Sequence, residues 1–200
     1  YSRFPPGYNG PTTNARTGPE YHGMGTLWSN PWLGTHAYLL PYMEQQPIAD
    51  RIMVEFNPTK YRNDPAFPTA PSCEQPWFWN GSSYAAGQIR LPTLTCPSAN
   101  PYGAEDSIFL LLHTAYYNPG NTLHGGTFGV SSRLGMTNYV SCGGGFGTVP
   151  GSSWHKFRGP FGNRTVYKFG DIRDGTSNTL LFGEGGLGKT WSRTDVNERF

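Results

Sequence analysis

The stretch FGDIRDGTSNTLLFGE, residues 169–184, decides the fold class that we expect for this chain. Asp174-Gly175 lies near its middle, and an Asp-Gly pair between two apolar runs is a strong signal for a tight hairpin turn. The sequence therefore predicts that residues 166–172 and 178–182 pair as antiparallel strands. Residues 138–141 are expected to lie in the same antiparallel sheet.

The composition predicts a loop-rich domain with an aromatic core. The 200 residues include 27 glycines and 18 prolines, while aromatic residues reach 15% and the net charge is only +2. Glycine and proline favour turns over long helices, and buried aromatic rings supply a large apolar area. We expect an α+β fold, with residues 1–200 forming a single globular domain and a proline-rich excursion at about 57–90.

Local patterns predict short elements along the rest of the chain. Thr35 is expected to cap a short helix that Pro41 limits, because proline disrupts a helix interior. The acidic start of residues 104–113 favours a second helix. Residues 91–95 and 157–161 are predicted to be short strands.

The longest uninterrupted apolar run is residues 108–112. A helix that spans a bilayer needs about 20 apolar residues, so this run is far too short. The given chain is therefore predicted to contain no membrane span.

The motifs of known enzymes are weak in this sequence. Residues 183–190 match the phosphate-binding pattern G-x-x-x-x-G-K-[ST], but only ten residues follow, too few for the remainder of such a nucleotide-binding fold. No two histidines stand four residues apart and no G-x-S-x-G motif is present. We expect residues 183–190 to be a glycine-rich loop and the protein not to be an enzyme.

Aromatic and basic residues alternate between positions 154 and 168, a combination that can bind single-stranded nucleic acid. The same alternation is typical of a half-buried strand with its aromatic side chains inward. A net charge of +2 gives little long-range attraction for phosphates, so we expect no nucleic-acid partner.

Four blocks of the chain resemble a large prepilin-like family that is abundant in planctomycete bacteria. They are FPPGY at residues 4–8, LLPYMEQ at 39–45, LTCPS at 94–98 followed by TNYV at 137–140, and the stretch 169–184. The last block is the most specific of the four. The resemblance covers residues 4–184 and implies an extracellular or cell-surface pilin-like head with an antiparallel sheet.

Members of that family begin with a pilin-like leader and a long hydrophobic helix. The numbered chain starts at Tyr1 without that part, so we expect it to be a processed form or a fragment. Related pseudopilin heads sometimes bind calcium, which makes Asp171, Asp174 and Asn178 candidate ligands. Asp174 and Asn178 are also ordinary turn formers whose side chains bond nearby backbone, and we favour that interpretation. No other cofactor is expected.

Export, as the resemblance implies, would expose the three cysteines to oxidising conditions. Cys73 lies in the proline-rich excursion and Cys96 at the end of a predicted strand, so we expect these two to form a disulfide and Cys142 to stay free. Three reduced thiols are the alternative.

Low charge, abundant aromatic residues and the pilin-like resemblance together favour a structural subunit that assembles with copies of itself into a filament or tube. Tryptophan and tyrosine dominate interface hot spots. The candidate contacts are Tyr21, Trp28, Trp32, Trp77, Trp79 and Tyr84. The alternative function is a surface-exposed module that binds carbohydrate or peptide without catalysis.

Overall fold

A computed structural model of the chain describes eight ranges of residues, namely 3–10, 30–60, 75–99, 101–103, 107–117, 120–128, 134–144 and 156–185. The α-helices are α1 (Thr35–Leu39), α2 (Gln46–Ala49) and α3 (Gly81–Gly87). The strands are β1 (Ser107–Tyr117), β2 (Gly120–Phe128), β3 (Tyr139–Ser141) and β4 (Phe182–Glu184). Short helices and antiparallel strands joined by long loops confirm the expected α+β class.

Helix α1 begins one residue earlier than predicted. Gly34 is its N-cap, and Thr35 is the first helical residue. The Thr35 hydroxyl bonds the carbonyl oxygens of Pro6 and Gly7, at 3.1 and 3.0 Å, instead of capping the helix. Pro41 acts as predicted, because the chain tightens there into the 3₁₀-helix Leu40–Met43. Thr35 therefore anchors α1 to the N-terminal segment.

The N-terminal segment, residues 3–10, runs between two other parts of the chain and bonds to both. On one side, Asn9 exchanges backbone hydrogen bonds of 2.8 and 3.0 Å with residues 32–33. On the other side, residues 4–8 bond the backbone of 162–167 at 2.7 to 2.9 Å. The side chain of Asn9 is fully buried, and its amide donates to the carbonyls of residues 55 and 56.

Arg164 gathers four acceptors from three distant parts of the chain. Its guanidinium donates to the carbonyl of Gly10, to those of Pro58 and Lys60 at 3.0 and 2.6 Å, and to Oδ1 of Asn30 at 3.2 Å. Its backbone has a φ of 52°, a left-handed conformation that is uncommon outside glycine. These hydrogen bonds hold the start of the proline-rich excursion against the N-terminal segment.

The predicted hairpin between residues 166–172 and 178–182 is wrong. Strand β4 pairs antiparallel with β3, so that Tyr139 lies opposite Glu184 and Ser141 opposite Phe182. Residues 167–168 bond the N-terminal segment instead. Asp174-Gly175 does turn the chain, with Gly175 at a φ of 82°. The flanking runs then form the 3₁₀-helices Phe169–Asp171 and Thr176–Asn178. They do not pair with each other, because the extended residues on either side bond to distant parts of the chain.

Two other predicted elements differ from the structure. Residues 104–113, expected to be helical, contain the start of β1, which pairs antiparallel with β2. A short apolar run fits a buried helix and a strand equally well, so its period could not decide between them. Residues 91–95, expected to be a strand, contain the 3₁₀-helix Pro92–Leu94.

The predicted strand 157–161 is present only as a short extended pairing. Arg158 bridges Gly144, and the amide of Gly159 donates to the carbonyl of Gly143 at 2.8 Å. Gly144 has a φ of 79°, and a Cβ atom there would lie 2.2 Å from the backbone of Gly159. Only glycine therefore allows these two segments to approach so closely.

The Arg164 hydrogen bonds provide a test of this architecture. Arg164→Met removes four charge-assisted donors and leaves partly buried carbonyl groups unpaired, so we expect a loss of about 3 kcal/mol in unfolding free energy. For a chain of this length, that loss lowers Tm by about 6 to 12 °C. Arg173→Met, at an exposed position, is the control and should change Tm by under about 2 °C. Equal Tm values for the two variants, measured by circular dichroism, would contradict the assignment.

Candidate functional site

The structure places the predicted interface aromatics in different environments. Tyr21 and Trp28 lie outside the described residues. Trp32 is only 2% exposed, with a φ of 54°, so its prediction as an interface contact is wrong. It stacks on Tyr8 at 5.8 Å between ring centroids and belongs to the core. Trp79 is 59% exposed and presents its ring to solvent.

Trp77, just before α3, and Tyr84, on α3, form a half-buried aromatic pair. Their rings stack at 6.4 Å between centroids, and the amide of Trp77 donates to the carbonyl of Pro31 at 2.9 Å. Gly87 lies against the Trp77 indole, because a Cβ at residue 87 would be 2.6 Å from the ring. This pair is a packed platform, with only part of its surface available to a partner.

Seven large apolar side chains among the described residues are more than half exposed. They are Tyr42, Met53, Trp79, Val140, Phe157, Phe169 and Leu180. Sequence reasoning identified only Trp79 among them. The one available signal was alternation along the predicted strand 138–141, which leaves Val140 outward between two more buried neighbours, as β3 shows.

Two of these exposed side chains flank the beginning of α3. The Asn80 carboxamide caps α3 by accepting from the amide of Ser83 at 3.0 Å, which places Trp79 just before the helix. The amide of Met53 donates to the Ser83 hydroxyl at 2.8 Å. The buried Ser83 therefore fixes the backbone of Met53 to the helix end that Trp79 precedes by two residues.

The turn at residues 171–178 has the hydrogen bonds of an ordinary loop. A carboxylate oxygen of Asp171 accepts from the amide of Lys168 at 2.7 Å, and the Asn178 carboxamide donates to the carbonyl of Asp174 at 3.1 Å. Among the described residues, no three His, Cys, Asp or Glu side chains lie close enough together to hold a metal ion. The side chains of Asp171 and Asn178 therefore bond nearby backbone as ordinary turn formers do, and calcium binding by Asp171, Asp174 and Asn178 stays an untested prediction.

Cys96 and Cys142 are free thiols in the structure, each partly buried. Cys73 lies outside the described residues. The predicted Cys73–Cys96 disulfide therefore stays a prediction.

An apolar cavity of about 300 Å³ lies between α1, α2 and α3. Trp32, Trp77 and several aliphatic side chains line it, together with the polar side chains of His36 and Ser83. The Ser83 hydroxyl already bonds Met53 and Asn80. Such a lining suits apolar atoms and offers few of the convergent polar groups that bind a sugar.

His36 is the titratable group at this cavity. Burial lowers its pKa below the ordinary value, and a hydrogen bond to the backbone of Tyr139 only partly opposes that effect. Its Nε2 atom is buried without a hydrogen-bond partner. A charged imidazolium would be poorly solvated there, so His36 is held neutral near pH 7.

The whole chain matches one protein family. Residues 1–199 fit the family described as "Protein of unknown function (DUF1559)". The chain belongs to the DUF1559 family. This is a planctomycete-type family, which agrees with the resemblance carried by residues 4–184.

Two further comparisons, with curated proteins and with solved structures, return no match to this DUF1559 chain. Across the described residues, none of its helices combines the length and the apolar character needed to cross a membrane.

Packing of Trp77 against α3 can be tested with two glycines of that helix. Gly87→Ala forces a methyl group against the indole and should cost about 1 to 3 kcal/mol of unfolding free energy. Gly81→Ala is the matched control, because a Cβ there meets nothing within 4 Å and alanine favours the helix. Urea denaturation should show the first variant destabilised and the second unchanged or slightly stabilised. Equal midpoints would rule out the contact.

His36 predicts a dependence of stability on pH in this DUF1559 chain. Its folded pKa lies below the unfolded value near 6.5, so the unfolded state binds more protons as the solution becomes acidic. The contribution is therefore complete above about pH 6.5 and is lost as pH falls toward the folded pKa, by at most about 1.4 kcal/mol per pH unit.

Urea midpoints at pH 7.5 and 5.5 measure this loss in the wild type and in His36→Gln. The variant should lose less stability over the same interval, because glutamine does not titrate. A variant whose midpoint shifts as far as that of the wild type would assign the dependence to other groups.

Proposed function

We propose that this chain is a non-catalytic structural subunit that assembles with copies of itself into an extracellular filament or tube. The observation that carries the proposal is the set of seven large apolar side chains, among the residues that the structure describes, that are more than half exposed. Only 14% of the residues are charged, against about 25% in ordinary soluble domains. A surface of this kind is suited to burial against another protein.

The exposed apolar residues lie on several separate elements. Trp79 and Met53 flank the start of α3, whereas Val140 lies on β3 and Leu180 two residues before β4. Contacts between two different patches join subunits head to tail, and such contacts extend into a filament unless the rotation closes a ring. A distribution over more than one element therefore supports a polymer better than a single two-fold contact.

Extracellular placement rests on the likeness of four sequence blocks to a family of exported prepilin-like proteins. The pilin-like relationship is part of the proposal, as is the homopolymer. The alternative, a carbohydrate- or peptide-binding module, draws less support, because the cavity among the three helices offers a sugar only His36 and an already bonded Ser83.

Assembly can be measured on the purified chain over a wide range of protein concentration. Light scattering should show a molar mass that rises steeply above a threshold concentration, and negative-stain electron microscopy should show a repeating polymer. Trp79→Glu and Leu180→Glu each place a charge in an apolar contact that the polymer would bury. If each side chain contributes about 2 kcal/mol to the association free energy, its loss should raise the threshold protein concentration about 30-fold.

Thr176→Glu is the matched control, since it adds the same charge at an exposed polar position. It should leave the threshold within about twofold of the wild type, as expected for a surface substitution. Dispersed wild-type monomers at the highest concentration would overturn the proposed function.

A further inference from the structure

The ribbon formed by β1 and β2 is a sheet of two strands only. The pairing runs without a break from Ser107 opposite Phe128 to His113 opposite Thr122. After an irregularity, Tyr117 pairs with Gly120. In the described part of the chain, β1 and β2 hydrogen-bond as strands only to each other, while β3 and β4 form a separate sheet. The outer edge of β1 thus has no strand partner among those residues.

Such a ribbon is unusual on physical grounds. An isolated two-stranded sheet is marginally stable in water, and three or more strands are usually needed for independent stability. Strand β1 has 11 residues and is therefore about 37 Å long. Its outer edge carries backbone N–H and C=O groups that another strand could pair with.

The sequence of β1 does not protect this edge. Natural edge strands carry lysine, proline or inward-pointing charges that prevent pairing with other chains. Residues 107–128 contain no Asp, Glu, Lys or Arg, and β1 contains no proline. Positions 108, 110 and 112 share one face of the strand and positions 109 and 111 the other, and all five are Ile, Phe or Leu.

We propose that the outer edge of β1 pairs antiparallel with β1 of a second copy of this chain, giving a continuous four-stranded sheet across the two subunits. This inference rests on the proposed self-assembly and names one of its contacts. Two identical strands in antiparallel pairing are related by a two-fold axis, so each offers the complement of the other.

The identity of the strand that pairs with this edge is inferred from charge and from strand composition. An edge without charged residues provides no charge complement for an acidic or basic partner, and two copies of it do not repel each other. The edge of β2 is a poorer candidate, because Gly125-Gly126 weakens a strand. The two-fold contact builds a dimer, and the exposed side chains on other elements join dimers into the polymer.

Cysteine cross-linking tests the pairing directly. In a background with Cys73, Cys96 and Cys142 replaced by serine, single cysteines are placed in turn at positions 109 to 115. Antiparallel two-fold pairing brings one position of β1 next to its own copy, so mild oxidation should give covalent dimers with a maximum at one position and low yields on either side. Thr122→Cys, on β2, is the control and should give several-fold less dimer than that maximum.

A second measurement uses Leu111→Lys, which introduces like charges near the two-fold axis. Sedimentation should show its dimer dissociating at a protein concentration at least several-fold higher than for wild type, with circular dichroism checking that the domain stays folded. A cross-linking profile along β1 that never exceeds the Thr122 control would overturn the pairing, whether or not the lysine variant folds.

The two proposals fail in different ways. A wild-type polymer with a flat cross-linking profile would overturn β1 pairing and leave the structural function in place. Wild-type protein that cross-links at one position of β1 but stops at dimers would support the pairing and overturn the polymer.

Discussion

The fold depends on residues 3–10, which are hydrogen-bonded along both sides at once. Residues 32–35 pair with this segment on one side and residues 162–168 on the other, so it connects two parts of the chain that are far apart in the sequence. Buried amides must be paired, and here the partners come from three separate regions. Thr35 and Arg164 reinforce the same junction with side-chain hydrogen bonds.

The same constraint explains which elements could be predicted from the sequence. Helix α1 and its end at Pro41 follow from local chemistry, and the predicted strand 138–141 contains β3 because its apolar pattern is short and clear. The hairpin at Asp174-Gly175 was wrong although the turn is real. A turn signal describes four residues, whereas the partners of the flanking runs are β3 and the N-terminal segment, far away in the sequence.

The candidate site was predictable in kind but less so in position. Composition predicts an aromatic core and aromatic contacts, yet it could not separate Trp32 from Trp79, since one is in the core and the other in solvent. Gly10 lies against the buried Trp32, because a Cβ at residue 10 would be 2.6 Å from the ring of Tyr8 and 3.0 Å from that of Trp32. The turn at 171–178 was better defined, because short-range side-chain bonds decide its structure.

The threaded N-terminal segment also has a consequence for the time at which the domain can fold. Gly10 donates its amide to Asn163, 153 positions later, and a ribosome adds about 5 to 20 residues per second. Gly10 therefore waits about 8 to 30 seconds after its own synthesis before Asn163 is added to the chain. During that interval the partners of residues 4–8 in the range 162–167 are absent, so the hydrogen bonds on that side of the segment cannot form. The high proportion of distant contacts implies slow closure afterwards.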